Sequence, residues 1–285
     1  MAAAPAKRVL RNSPHGMNLI NGIAGATISV RDRGLAYGDG VFRTFPVRQG
    51  KPVWWQRQYA KLAQDCAALK IDCPSRDTLA SDLALLDTRD CVVKIIVTRG
   101  DSLRGYAPPS APVPTRVVIS SPLPEYPGTY ATQGVKVHLC NLRLAAQPAL
   151  AGVKHLNRLE NVLARAEWSD STVAEGLLCD AADNVIGGTM SNLFIAKAGA
   201  LVTPDLTACG VAGLTRDAVI EFAGNHAIPF QVRALSLDDL FAADEVFVVN
   251  SVIGVWPVIA LERKAWATGP LALQMQRWIA DAQDA

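Results

Sequence analysis

Gly152-Val153-Lys154-His155-Leu156-Asn157-Arg158-Leu159-Glu160 sets one lysine after a small, apolar lead-in and ahead of a helical pattern. From Leu156 the apolar residues fall at 156, 159, 162, 163 and 166, one face of a helix, which predicts a helix running to Glu167. Lys154 then stands where the chain leaves the core to start that helix. A lysine desolvated there has a lowered pKa, and its neutral amine can attack a carbonyl. A lysine on a solvated helix end would show the same local pattern, so the rest of the chain must separate the two readings.

Downstream of the lysine, strands are expected at 176–179, 192–196, 201–203 and 245–249, the last ending at Asn250-Ser251. A helix starts at Gly213-Leu214-Thr215-Arg216-Asp217 and runs to about Asn225, and 271–280 reads as an amphipathic helix. Ser236-Leu237-Asp238-Asp239 resembles a capping box. Upstream, Pro122, Pro124, Pro127 and Gly128 mark an interdomain linker. Before it come a hairpin over 18–30, a structured loop over 31–40 and a strand over 41–47. Next are a helix striped by Tyr59, Leu62, Cys66 and Leu69, a helix over 77–86, and strands at 92–98 and 117–120. Strands and helices mix without regular βαβ alternation, so the fold class is α+β. The expected domains are 1–122 and 131–285, joined by a linker at 123–130.

Half of the 285 residues are hydrophobic, enough for a sizeable core, and the net charge of +2 has no Lys/Arg run behind it. Neither nucleic acid nor membrane is expected as a partner; a small-molecule substrate is. Met1 to Arg11 lacks the continuous apolar segment of a signal peptide, and a cytoplasmic protein is expected. The six cysteines show no CxxC spacing and the four histidines no ligand spacing, so no metal is expected and the thiols read as buried and reduced.

Three residues suggest one anion site. Thr215 lies in the first turn of a helix, where free N–H groups and the helix dipole attract phosphate. Ser251 ends a strand with a hydroxyl and an amide to offer, and Lys61 lies on the striped helix.

Taken in order with Lys154, these stretches resemble the fold-type IV pyridoxal-phosphate enzymes: branched-chain and D-amino acid aminotransferases and aminodeoxychorismate lyases. The resemblance runs from about Asn18 to the C-terminus. It is carried by Asp32-Arg33-Gly34, Tyr37-Gly38-Asp39-Gly40-Val41-Phe42, the lysine stretch, Ser191-Asn192-Leu193-Phe194, Gly213 to Asp217, and Asn250-Ser251 followed by Pro257. Lys154 to Glu160, and Thr98-Arg99-Gly100 with Arg104-Gly105-Tyr106, look most like the lyases.

The resemblance implies a two-domain α+β fold with pyridoxal 5'-phosphate in the cleft, and a homodimer whose neighbour closes the site. Lys154 would hold the cofactor covalently and move protons. Leu214, Thr215 and Ser251 would bind its phosphate, with Lys61 where the family has an arginine. Arg104 would bind a substrate carboxylate, with Tyr106 and Arg31 beside it. The implied reaction turns 4-amino-4-deoxychorismate into 4-aminobenzoate and pyruvate. A D-amino acid or branched-chain aminotransferase, and a non-catalytic descendant, are the alternatives. One departure stands out: Gly187 occupies the place of the family's glutamate on the pyridine nitrogen, with Asp180, Asp183 or a water as possible substitutes. A transaminase needs that carboxylate more than a lyase whose product becomes aromatic.

Overall fold

The computed structural model describes residues 17–86 and 89–284; the N-terminal stretch read above as lacking a signal peptide lies outside them. The first part of the chain runs β1 (Asn18–Ile20), β2 (Ile23–Ala24), α1 (Arg33–Tyr37), β3 (Gly40–Arg48), β4 (Lys51–Pro52), α2 (Trp55–Ala68), α3 (Arg76–Ala84), β5 (Cys91–Thr98) and β6 (Thr115–Ser121). Its strands form one sheet in the order β2-β1-β6-β5-β3-β4, antiparallel throughout. Strand periodicity explains its layering. Val41, Phe45 and Val47 of β3 and Val93, Ile95 and Val97 of β5 are buried in one cluster with Leu62 and Cys66 of α2 and Leu79 of α3. Phe42, Thr44 and Lys94 alternate onto the opposite face.

The second part runs α4 (Thr129–Thr132), β7 (Val135–Leu144), α5 (Leu159–Arg165), β8 (Val173–Asp180), β9 (Val185–Gly188), β10 (Asn192–Lys197) and β11 (Ala200–Pro204). It continues through α6 (Leu214–Asn225), β12 (Phe230–Arg233), α7 (Leu237–Phe241), β13 (Glu245–Asn250), β14 (Gly254–Leu261), β15 (Lys264–Ala265) and α8 (Pro270–Asp284). These strands build a nine-stranded sheet in the order β12-β11-β10-β13-β14-β7-β8-β9, with β15 on β14. It is mixed: β7 is parallel to both β8 and β14, and β11 to β12. One cluster on it includes Leu177, Leu193, Val248 and Trp256. Phe194, Phe247 and Val249 meet Phe222 of α6 and Met275 of α8 in another. The fold is α+β with two domains.

Several local expectations change. The helix after the lysine begins at Leu159, not Leu156, and has seven residues. Residues 154–156 instead run extended along the start of β3: Phe42 N donates to Lys154 O at 3.0 Å and Leu156 N to Gly40 O at 2.9 Å. Lys154 is thus held at a sheet edge, not at a helix mouth. The apolar stripe of α5 faces outward, with Leu159, Val162 and Leu163 exposed. The loop over 31–40 contains α1, started by the Asp32 side chain on Gly34 N and stopped by Gly38 at φ 66°. The hairpin's second strand is only Ile23–Ala24. The capping box at Ser236 and Asp239 is present, with both reciprocal bonds.

Candidate active site

A cavity of about 790 Å³ has walls drawn from both parts of the chain: Phe42, Arg43 and Thr44 of β3, Gln58 of α2, the lysine segment, Gly187 to Asn192, Gly213 to Thr215, and Asn250 to Val252. Lys154 lines it, with its backbone sewn to β3 by the bonds above and by the antiparallel bridge between Val41 and His155. Alternation along that short extended run sends Val153 into the core cluster beneath β3. It turns the Lys154 amine onto the Phe42 ring, 4.6 Å from its centroid. Lys94, on β5 opposite Thr44, lies over the same ring at 4.6 Å.

The amine is open to the cavity but otherwise ringed by protein. Burial lowers its pKa from 10.5 to about 7; the positive charges of Arg43, Arg158 and Lys94 add to the drop, and Asp65 opposes it. Arg158 also fixes the segment, its Nε donating to His155 O at 3.0 Å and its Nη2 to Val153 O at 3.3 Å. His155 is buried and neutral, its pKa lowered to about 4 by burial and then by Arg158.

The anion seat is assembled by two asparagines. Asn192 accepts from Gly213 N at 3.0 Å and donates to Val211 O at 2.7 Å, which fixes the start of α6. Gly213 is the N-cap and provides no side-chain cap, which leaves the first-turn amides without a capping side chain. Asn250 accepts from Val252 N and Ile253 N at 2.8 and 2.9 Å and donates to Met190 O at 3.1 Å. That turn sets Ser251 Oγ 3.4 Å from Thr215 Oγ1, with Gln58 Nε2 donating to Ser251 at 3.3 Å.

The structure therefore brings Lys154, Leu214, Thr215 and Ser251 to one cavity. It does not bring Lys61, Arg104 or Tyr106 to those walls. Lys61 is directed to Asp217 of α6, Nζ to Oδ2 2.8 Å, because both project between α2 and α6. Arg104 and Tyr106 are exposed in the loop after β5, which the 32–39 motif holds. Arg33 donates to Gly105 O at 3.1 Å and Tyr106 O at 2.9 Å, while Asp39 joins Arg33 and Arg99 at 2.7 and 2.8 Å. The loop is thus tied down by several bonds, and neither Arg104 nor Tyr106 lines the cavity.

Gly187 itself brings no carboxylate, and Glu160, which also lines the cavity, accepts from Ala145 N at 2.9 Å. Asp183 pairs with Arg143 at 2.8 Å, and Asp180 accepts from Ala182 N and Asn184 N. Glu175, buried beneath Gly188, is taken by Thr189, Met190 and Ser191. Glu167, near His138 and Cys140, likewise accepts from Asn141 N and Leu142 N across an irregularity in β7.

Sequence reading missed Arg43, Lys94 and Arg158. Arg43 and Lys94 had a signal: each is a lone cation inside an apolar strand, a pattern that needs a reason.

The chain belongs to the amino-transferase class IV family, whose model matches residues 40–261. Within that family, an aminodeoxychorismate lyase of Vibrio harveyi is 34% identical over 241 residues, 84% of this chain and 89% of that one. The crystal structure of 4-amino-4-deoxychorismate lyase from Pseudomonas aeruginosa superposes with a TM-score of 0.90 at 46% identity, covering 94% of this chain and 100% of that one. A D-alanine aminotransferase of Bacillus licheniformis is 26% identical over 259 residues, 87% of this chain and 89% of that one.

Proposed function

We propose that this chain is a pyridoxal-phosphate-dependent aminodeoxychorismate lyase, releasing 4-aminobenzoate and pyruvate from 4-amino-4-deoxychorismate. The observation that carries the reading is the Lys154 amine, held near neutrality on a cavity that also contains Thr215 and Ser251. The likeness to the Vibrio and Pseudomonas lyases over most of the chain supports it.

The residues fit the cofactor: a desolvated amine for its aldehyde, and uncapped first-turn amides with two hydroxyls for its phosphate. When bound, pyridoxal phosphate would supply the electron sink that makes the proton on the substrate's amine-bearing carbon removable. Leu214, Thr215 and Ser251 would hold the phosphate end. Lys154 Nζ, with a pKa of about 7, is substantially free base near neutral pH and accepts that proton. Phe42, Leu150 and Ile186 supply apolar wall that keeps water away from it. The ring becomes aromatic as pyruvate departs, so the missing carboxylate at Gly187 hampers this reaction less than a transamination.

The active unit is a homodimer. The exposed Leu159, Val162 and Leu163 are a face for a second copy to cover, and each subunit lends Arg104 and Tyr106 to its neighbour's substrate carboxylates. No helix among the described residues is long and apolar enough to cross a membrane. The proposed reaction is a step toward folate, carried out in the cytoplasm.

A coupled assay tests the proposal. Chorismate, glutamine and an aminodeoxychorismate synthase are supplied, and 4-aminobenzoate is measured. The chain should form it and Lys154→Ala should not. No product from the wild-type chain, or equal product from the variant, would end the lyase reading.

A further inference from the structure

We propose that Arg43 of β3, not Lys61 of α2, is the cation that meets the cofactor's phosphate. The inference rests on the cofactor reading above and goes beyond it, because the family pattern puts that charge at position 61.

A dianionic phosphate needs donors and at least one nearby cation. Gln58, Thr215 and Ser251 supply neutral donors. Two cations on neighbouring elements compete for the remaining place. Lys61 does not line the cavity, and its ammonium lies on Asp217. Arg43 does line the cavity and is 3% exposed. Its Nη2 pairs with Asp65 of α2, a residue also under the influence of the Lys154 backbone amide. Its Nε has no hydrogen-bond partner among the described residues. A buried N–H left without an acceptor keeps its full desolvation cost, so proteins seldom keep one without use.

The chemistry of the head group suits the task. A guanidinium has five donors in a planar fork, so a carboxylate on one edge leaves Nε for a second anion. Asp217, in the first turn of α6, is close enough to act electrostatically on Arg43, which sets that head group near the helix start that receives the phosphate. Asp65 then acts as the clamp that orients Arg43.

The test compares two charge-pair replacements: Arg43→Met with Asp65→Asn, and Lys61→Met with Asp217→Asn. Pyridoxal phosphate and pyridoxal are each titrated into the cofactor-free full-length chain, followed by absorbance of the lysine-bound form. The first pair should weaken pyridoxal phosphate at least tenfold and leave pyridoxal within twofold; the second should move neither beyond threefold. Equal losses for both probes, no loss for the first pair, or a larger loss for the second would overturn the assignment. Should the first pair fail to fold, Arg43→Lys is read instead. It keeps a charge on Asp65 but has no Nε donor, so a several-fold loss for pyridoxal phosphate alone supports the proposal, and an unchanged affinity overturns it. A wild-type chain that shows this binding pattern but forms no 4-aminobenzoate would end the lyase reading and leave Arg43 in place.

Discussion

Replacing Lys154 by methionine should make the cofactor-free protein more stable at neutral and acid pH. In the folded chain the lysine's pKa falls from 10.5 to about 7. At 1.36 kcal/mol per unit that drop amounts to about 5 kcal/mol, held against the folded state wherever the amine must be charged. Water in the cavity screens part of it, and the contact with the Phe42 ring at 4.6 Å returns about 1 kcal/mol. A net gain of roughly 2–4 kcal/mol remains for Lys154→Met, which keeps the apolar stem. Between pH 7 and 10.5 the unfolded chain binds the proton and the folded one does not, so wild-type stability rises with pH across that window. Below pH 7 both states are charged and the penalty is complete. Urea unfolding of both proteins, freed of cofactor, at pH 6.5 and 10.5 measures the difference. The variant should lead at pH 6.5 and the gap should nearly close at pH 10.5. Equal stability at both pH values would refute the idea that burial depresses the amine's pKa.

Asn192→Ala removes two bonds, to Gly213 N and Val211 O, that fix the start of α6. At about 1 kcal/mol each, their loss should weaken pyridoxal phosphate by up to about thirtyfold in an absorbance titration. Arg104→Ala and Lys154→Ala should each abolish 4-aminobenzoate formation, and subunit mixing should restore about a quarter of the wild-type rate, since half the dimers would hold one complete site. Failure to complement would place Arg104 outside the neighbour's site. Gly187→Glu returns a carboxylate to the cavity wall, although its Cβ would come within 3.0 Å of Ser191 O. Pyruvate formed from D-alanine and an acceptor keto acid should rise several-fold in that variant; an unchanged rate would mean the wall tolerates no useful carboxylate there.

Much of the site was legible because its parts are local. A helix start, a strand end and one lysine each have a signature within a few residues, and the capping box at Ser236 formed as read. The errors came from long-range effects. The stripe at 159, 162 and 163 signals burial without saying whose surface buries it, and here those residues face outward. Lys154 is extended because β3, over a hundred positions upstream, offers Gly40 O and Phe42 N to its segment. Arg43 could be seen as an odd charge in an apolar strand, but Asp65 could not be seen as its clamp until α2 lay across β3. The 31–40 stretch reads as a structured loop; it contains α1, and its charged groups tie down the 99–106 loop.

Borohydride reduction of the cofactor-loaded protein, followed by proteolysis and mass spectrometry, asks directly which amine holds the aldehyde. The phosphopyridoxyl mass should appear on the peptide containing Lys154 in close to one copy per chain. Its appearance on Lys61, Lys94 or any other lysine, with Lys154 unmodified, would contradict the account at its root.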